Sequence, residues 1–161
     1  MTSWPGPDGA APSGHWWSEV MAKKYEVTTG KRFISWFMAR AAGLGLGNFV
    51  VLTVIGRQSG RPRNVTVAPI TDDEGRYLVS PYGNSGWVLN ARADPIAIIK
   101  RGGSETRVRL IEVSGEKPEV VRAYYEREGF ARQFMDVPGE ASVADFASVS
   151  DRFPVFRIEE T

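Results

Sequence analysis

The chain has no cysteine and a single histidine among its 161 residues. Without cysteine there are no disulfides, thiolate nucleophiles, zinc ribbons or cysteine-held iron–sulfur clusters. One histidine leaves no pair to hold a zinc-activated water, and His15 stands among Pro and Gly, away from an acid partner. A net charge of +1 gives no global case for nucleic acid. No apolar run approaches the roughly 18 residues of a membrane span; the longest run from Phe49 to Ile55 and from Ile96 to Ile99. Residues 1–14 have neither a basic start nor an apolar stretch, so they read as a disordered tail and not as a signal peptide. The expected organisation is a tail over residues 1–22 followed by one cytoplasmic domain over 23–161. So few reactive side chains point to a bound coenzyme as the reagent.

The charge that is present is unevenly spread. Residues 48–109 hold nine basic and five acidic groups, whereas residues 110–161 hold six and eleven. Eight of the nine cations in the middle segment are arginines, with Lys100 the ninth. Arginine matches planar anions such as phosphate and carboxylate, so an anionic ligand is sought there first.

From Thr29 to Gly47 the spacing of Phe33, Trp36, Phe37, Ala41 and Leu44 predicts a helix covering one end of the core. The alternative is a helix that touches a membrane surface through residues 31–47. The rest reads as short strands: Phe49 to Ile55, then Val65 to Pro69, then Tyr77 to Ser80 after a turn over Thr71 to Gly75. A hairpin pairs Ile96 to Arg101 with Thr106 to Val113 across Gly102-Gly103, and Pro154 to Ile158 makes a last strand. Helices are predicted over Ser85 to Ala93, from Pro118 through Tyr125 to Gly129, and near Ser142 to Ala147. Six strands with hairpin links favour an antiparallel barrel with flanking helices, because parallel strands need long crossovers.

Two segments carry the chemistry. Gly56-Arg57-Gln58-Ser59-Gly60-Arg61-Pro62-Arg63 lies between strands, with glycines that let the backbone turn and expose amides, a serine hydroxyl, and three arginines around them. It suits a phosphate or polycarboxylate, but it lacks the Gly-Lys-Ser/Thr ending of a P-loop. A solvated basic hairpin is the competing reading. Ser80-Pro81-Tyr82-Gly83-Asn84-Ser85-Gly86 joins a strand end to a helix start, where a flat heterocycle can rest on backbone amides. Beyond it Trp87 reads as a core anchor and Asn90 as a packing residue. Gly43-Leu44-Gly45-Leu46-Gly47 is no dinucleotide fingerprint, since it follows a helix and precedes a strand. Asn64-Val65-Thr66 is a glycosylation acceptor by chance alone.

At these two segments the chain resembles the deazaflavin-dependent nitroreductase family, small actinobacterial split-barrel proteins that use the deazaflavin coenzyme F420. The matching residues are Gly56-Arg57-Gln58-Ser59-Gly60-Arg61-Pro62-Arg63 and Trp87-Val88-Leu89-Asn90-Ala91, with weaker likeness from about Lys24 to Ile158. The resemblance implies that Arg57, Ser59 and Arg63, in a loop completed by Gln58, Gly60 and Arg61, hold the phosphate and glutamyl tail. It implies that Thr66, Val67, Ser80, Pro81 and Tyr82 border the ring, with Trp87 and Asn90 supporting it. Gln58 stands where the family commonly has Lys or Arg, the Tyr82 loop is shorter and more aromatic, and Ala91 replaces the usual Leu. The implied activity is hydride transfer to a small-molecule quinone, enone or nitro acceptor, with Tyr82 a proton donor and Tyr124, Tyr125, Phe130 and Phe134 an apolar wall. The alternatives are a non-catalytic carrier of deazaflavin or lipid and an FMN-dependent oxidoreductase of related fold. A homodimer is also expected.

Overall fold

The computed structural model describes residues 47–129, 131–137 and 140–161. The predicted tail, the helix over residues 29–47 apart from its last residue, His15, and Phe130 lie outside the described residues.

β1 (Val50–Ile55) alternates strictly: Val50, Leu52 and Val54 are buried while their neighbours are not. What reads in sequence as one apolar run is a strand with an inner and an outer face. β1 pairs antiparallel with β2 (Pro62–Val67) and with β5 (Ile96–Arg101). β5 turns at Gly102-Gly103 into β6 (Ser104–Glu112), which pairs with β7 (Val155–Glu160). β7 pairs with β4 (Gly75–Val79), and β4 with β3 (Ile70–Asp72). Among the described residues the sheet therefore has seven antiparallel strands in the order β2-β1-β5-β6-β7-β4-β3. The seventh strand corrects the expected six: Thr71 and Asp72, read as turn residues, pair across to β4. Only Asp73 and Glu74 turn the chain, held by Asp72 Oδ1, which accepts from the backbone N–H of Glu74 and of Gly75.

β2 and β3 are the two edges of this sheet, yet Ala68-Pro69 alone joins them. Three Cα steps reach about 11 Å at most. Seven flat strands would hold their edges about 29 Å apart. The sheet must curl until its edges meet, which makes it a split barrel.

Alternation then builds two cores. Leu78, Phe156 and Ile158 point into the barrel with Val50, Leu52 and Ala97. Tyr77, Val79 and Val155, on the same strands, point outward to Val120, Val121 and Tyr124. These last three belong to α2 (Pro118–Arg127), and α3 (Val143–Val149) adds Phe146. α3 starts in a capping box, with Ser142 and Asp145 each satisfying the other's backbone N–H. α1 (Gly86–Ala93) plugs one end of the barrel with Trp87, Val88 and Ala91.

The antiparallel register places the two chemical segments together. β1 runs toward Ile55, β2 starts at Pro62 opposite it, and Ala97 near the start of β5 faces Val54. β4 also runs toward that end, since Val79 pairs with Val155 while Glu112, at the end of β6, pairs with Phe156. The arginine-rich loop and the Ser80 loop thus leave the barrel at the same end.

Candidate functional site

The loop from Gly56 to Arg61 closes on itself. Gly56 N–H donates to Arg61 O and Gly60 N–H to Gly56 O, both at 2.8 Å. A side chain at Gly56 would put its Cβ 2.7 Å from Ser59 Oγ and 3.4 Å from Arg63 Cγ, so only glycine lets these groups lie so close. Gly60 sits at φ 64°, a left-handed conformation that disfavours other residues. Arg61 N–H reaches Ser59 Oγ at 3.3 Å. The amides of Gly56, Gly60 and Arg61, expected to face a ligand, are instead occupied inside the loop, because a tight hairpin satisfies its own donors first. What the loop offers outward is therefore its side chains. Arg57, Gln58, Ser59, Arg61 and Arg63 are all exposed. Among the described residues no carboxylate lies within ion-pairing distance of Arg61 or Arg63.

The second segment is built differently. Ser80 is fully buried, and its hydroxyl donates to Gly83 O at 2.7 Å and lies 3.2 Å from Ser85 Oγ. Ser85 is the N-cap of α1, yet its side chain makes no capping bond because it is turned toward Ser80. Among the described residues the first-turn amides of α1 at Gly86, Trp87 and Val88 therefore keep no side-chain partner, and the helix dipole adds positive potential there. Open amides at a helix start are the kind of group that can meet an anion or a carbonyl. Pro81 is buried beside it and Tyr82 is half-buried.

One side chain joins the two segments. Asn90 Oδ1 accepts the backbone N–H and the Nη1–H of Arg57, each at 3.1 Å. Asn90 is buried on α1, so the helix that presents the amides also sets the position of the arginine loop. Trp87 is likewise buried and packs its ring 5.4 Å from Phe156 inside the barrel. Its placement is that of the core anchor, behind the site.

These residues also fit a family. A model of the F420H(2)-dependent quinone reductases matches residues 18–133, more than two thirds of the chain. The chain belongs to the F420H(2)-dependent quinone reductase family. It is thus an F420-dependent oxidoreductase, and F420 is its coenzyme. No curated protein matches the sequence. Among solved structures, an Agrobacterium tumefaciens protein of unknown function aligns at 14% identity and a TM-score of 0.50, covering 83% of this chain and 57% of its own. An F420-H2 dependent reductase aligns at 17% identity and 0.40, covering 70% and 94%. A FAD-binding protein from Mesorhizobium loti aligns at 16% and 0.47, covering 84% and 91%.

F420 carries a phosphate and a glutamyl tail, and the exposed Arg61 and Arg63 beside the Ser59 hydroxyl fit such an anionic group. Thr66 and Val67 stand apart from this cluster. Val67 pairs with Val50 at the far end of β2, about 13 Å of strand from Arg63. The two also alternate faces: Val67 packs on the barrel core and Thr66 faces away.

Tyr82 meets Phe134 edge-on at 4.7 Å between ring centroids. Tyr124 and Tyr125 are buried in the helix core, and Tyr125 packs edge-on against Phe146. Burial raises the Tyr124 hydroxyl well above its ordinary range, and the Glu128 carboxylate and Tyr82 add to the shift. Glu128 itself is buried, at the C-terminal cap of α2.

Sequence reading missed the clamp that holds the Tyr82 loop. Arg92 donates from Nε and Nη2 to both Glu112 oxygens at 2.8 and 2.6 Å, and from Nη1 to Asn84 Oδ1 at 2.8 Å. Ser114 Oγ donates to Glu112 Oε1 and accepts the Val155 N–H. The Arg92 guanidinium holds the Glu112 carboxyl below its ordinary range, and Glu112 in turn raises Arg92. A lone arginine at the last turn of a helix signals only dipole complementarity, so no pattern pointed to this pair.

Proposed function

We propose that the protein reduces a quinone, with F420 anchored by the arginine loop and its ring laid against the Ser80 loop and the start of α1. The observation that carries this reading is the Arg57–Asn90 junction, which fixes an anion-binding loop to an uncapped helix N-terminus at one end of the barrel. In this reading Arg57, Arg61, Arg63 and Ser59 hold the phosphate and glutamyl carboxylates, with Gln58 and Gly60 shaping the loop. The amides at the start of α1 face the polar edge of the ring, Pro81 and Tyr82 border it, and Ser80, Trp87 and Asn90 support that border from behind. Thr66 and Val67, on opposite faces of β2 and toward its far end, are left outside this border.

Reduced F420 supplies a hydride when bound. The chain contributes position, water exclusion and a proton. Tyr82 O–H gives that proton to a quinone oxygen as the other addition is made, so that hydride plus proton yields the hydroquinone and leaves a tyrosinate to be reprotonated from solvent. The ring of Phe134 against Tyr82 keeps the hydroxyl at the rim of the site.

The test is steady-state turnover of F420H2 with menadione, followed by the return of the oxidised deazaflavin's absorbance. Saturation in both reactants supports the reading. A rate no greater than the protein-free background contradicts it, and turnover of a nitroarene or enone in preference to menadione would reassign the acceptor.

A further inference from the structure

At the end of the barrel opposite the arginine loop, a cavity of about 280 Å³ opens between β1, β4, β5 and β6. The length of β1, about 17 Å, separates the two ends. Its floor is Val50, Ile99 and Val108, which are 1%, 5% and 1% exposed. Its rim carries two guanidiniums, Arg76 at the start of β4 and Arg101 at the end of β5, with the hydroxyls of Ser104 and Thr106. None of these residues belongs to the proposed coenzyme site.

Among the described residues the two arginines are weakly engaged for residues facing a cavity. Arg76 Nη1 lies 3.9 Å from Glu160 Oε1, and that carboxylate's side chain is 71% exposed. Arg101 gives one N–H, from Nη2, to Gly47 O at 2.8 Å. The nearby Glu105 is taken by Lys100 at 2.7 Å, and Asp72 is turned into the β3–β4 turn. A buried apolar floor under two guanidinium forks is complementary to one ligand chemistry: a carboxylate on a compact hydrocarbon body. The volume is near the lower limit of roughly 300 Å³ for small-molecule pockets, which restricts the body to about a single ring or a short branched chain.

We propose that this mouth of the barrel is a second ligand site, separate from the coenzyme site, that binds a compact hydrophobic monocarboxylate. The carboxylate bridges Arg76 and Arg101 and displaces Glu160 from Arg76, while the apolar body rests on Val50, Ile99 and Val108.

The test uses methyl and amide NMR of the full chain with benzoate, and with benzamide as its neutral counterpart. Benzoate should move the methyl signals of Val50, Ile99 and Val108 saturably, and benzamide should bind at least tenfold more weakly. Arg76→Ala and Arg101→Ala should each weaken benzoate at least tenfold, Glu160→Gln should tighten it severalfold, and Arg63→Ala should leave it unchanged. If either arginine variant loses its folded spectrum, Glu160→Gln decides, because it alters only a solvated carboxylate at the rim. No saturable shift, equal binding of benzamide, no tightening in Glu160→Gln, or displacement of benzoate by F420 would each overturn a separate carboxylate site.

Discussion

Asn90 Oδ1 holds Arg57 twice, accepting its backbone N–H and its Nη1–H at 3.1 Å each, across 33 positions of sequence. A loop carrying three arginines would otherwise sample many arrangements, and each would lower its affinity for an anion. Asn90→Ala removes the acceptor and keeps every side chain proposed to meet the coenzyme, Arg57 included. The expected loss of F420 affinity is about 1–3 kcal/mol, the range for losing charge-assisted and buried hydrogen bonds. Calorimetric titration of the single variants and of Arg57→Ala/Asn90→Ala checks it. The double variant should lose less than the sum of the singles, and strict additivity would show that the two residues act separately.

Gln58 occupies an exposed position where the resembling family commonly has a cation. Gln58→Arg should therefore tighten F420 binding, more for forms with longer glutamyl tails, and the gain should shrink as salt rises. Affinities across a tail-length series at two ionic strengths measure this. An equal gain for every tail length would place the tail away from this loop.

Arg92 and Glu112 clamp the Tyr82 loop through a two-bond ion pair on partly exposed side chains. Hydrogen bonding from Arg92 is the largest cause that lowers the Glu112 carboxyl. Its contribution is thus fully present above the ordinary glutamate value of about 4.3 and fades as pH falls through the lower folded value. Thermal melts of the wild type and of Glu112→Gln should differ at about pH 7 and converge toward about pH 3. A gap that stays constant over this range would remove the ion pair as its source.

Tyr82 stacks edge-on against Phe134, so Tyr82→Phe keeps the ring contact and deletes only the hydroxyl. Loss of the proton donor should lower kcat by about 10²-fold or more, with KM and F420 affinity little changed. Tyr82→Ala should in addition raise KM, because the Phe134 contact goes too. An unchanged kcat in Tyr82→Phe would assign the proton to solvent.

Much of this fold is legible from residue pattern. The Gly102-Gly103 turn, Pro118 at the start of α2 and the β-prone run from Val50 to Ile55 each have a local cause that acts before any tertiary contact forms. β3 is not legible, because Ile70, Thr71 and Asp72 become a strand only through pairing with β4 and their composition is that of a turn. At the site, residue types reveal the arginines and the serine, and the resemblance groups them with Trp87 and Asn90. They do not reveal which way the loop amides face: Gly60 N–H turns inward to Gly56 O, while the α1 amides are left open because Ser85 turns to Ser80. Nor do they reveal the Arg57–Asn90 and Arg92–Glu112 pairs, which form between elements brought together only by the closed barrel.

The most direct test of the site is an equilibrium titration of F420 into the wild-type protein and Arg63→Ala. Arg63 is exposed, its stem lies against Gly56, and no carboxylate among the described residues neutralises it. The expected result is saturable binding by the wild type and a loss of about 1–3 kcal/mol in the variant, larger for longer glutamyl tails. Equal affinity of the two proteins would contradict the placement of the coenzyme's anionic tail on this loop.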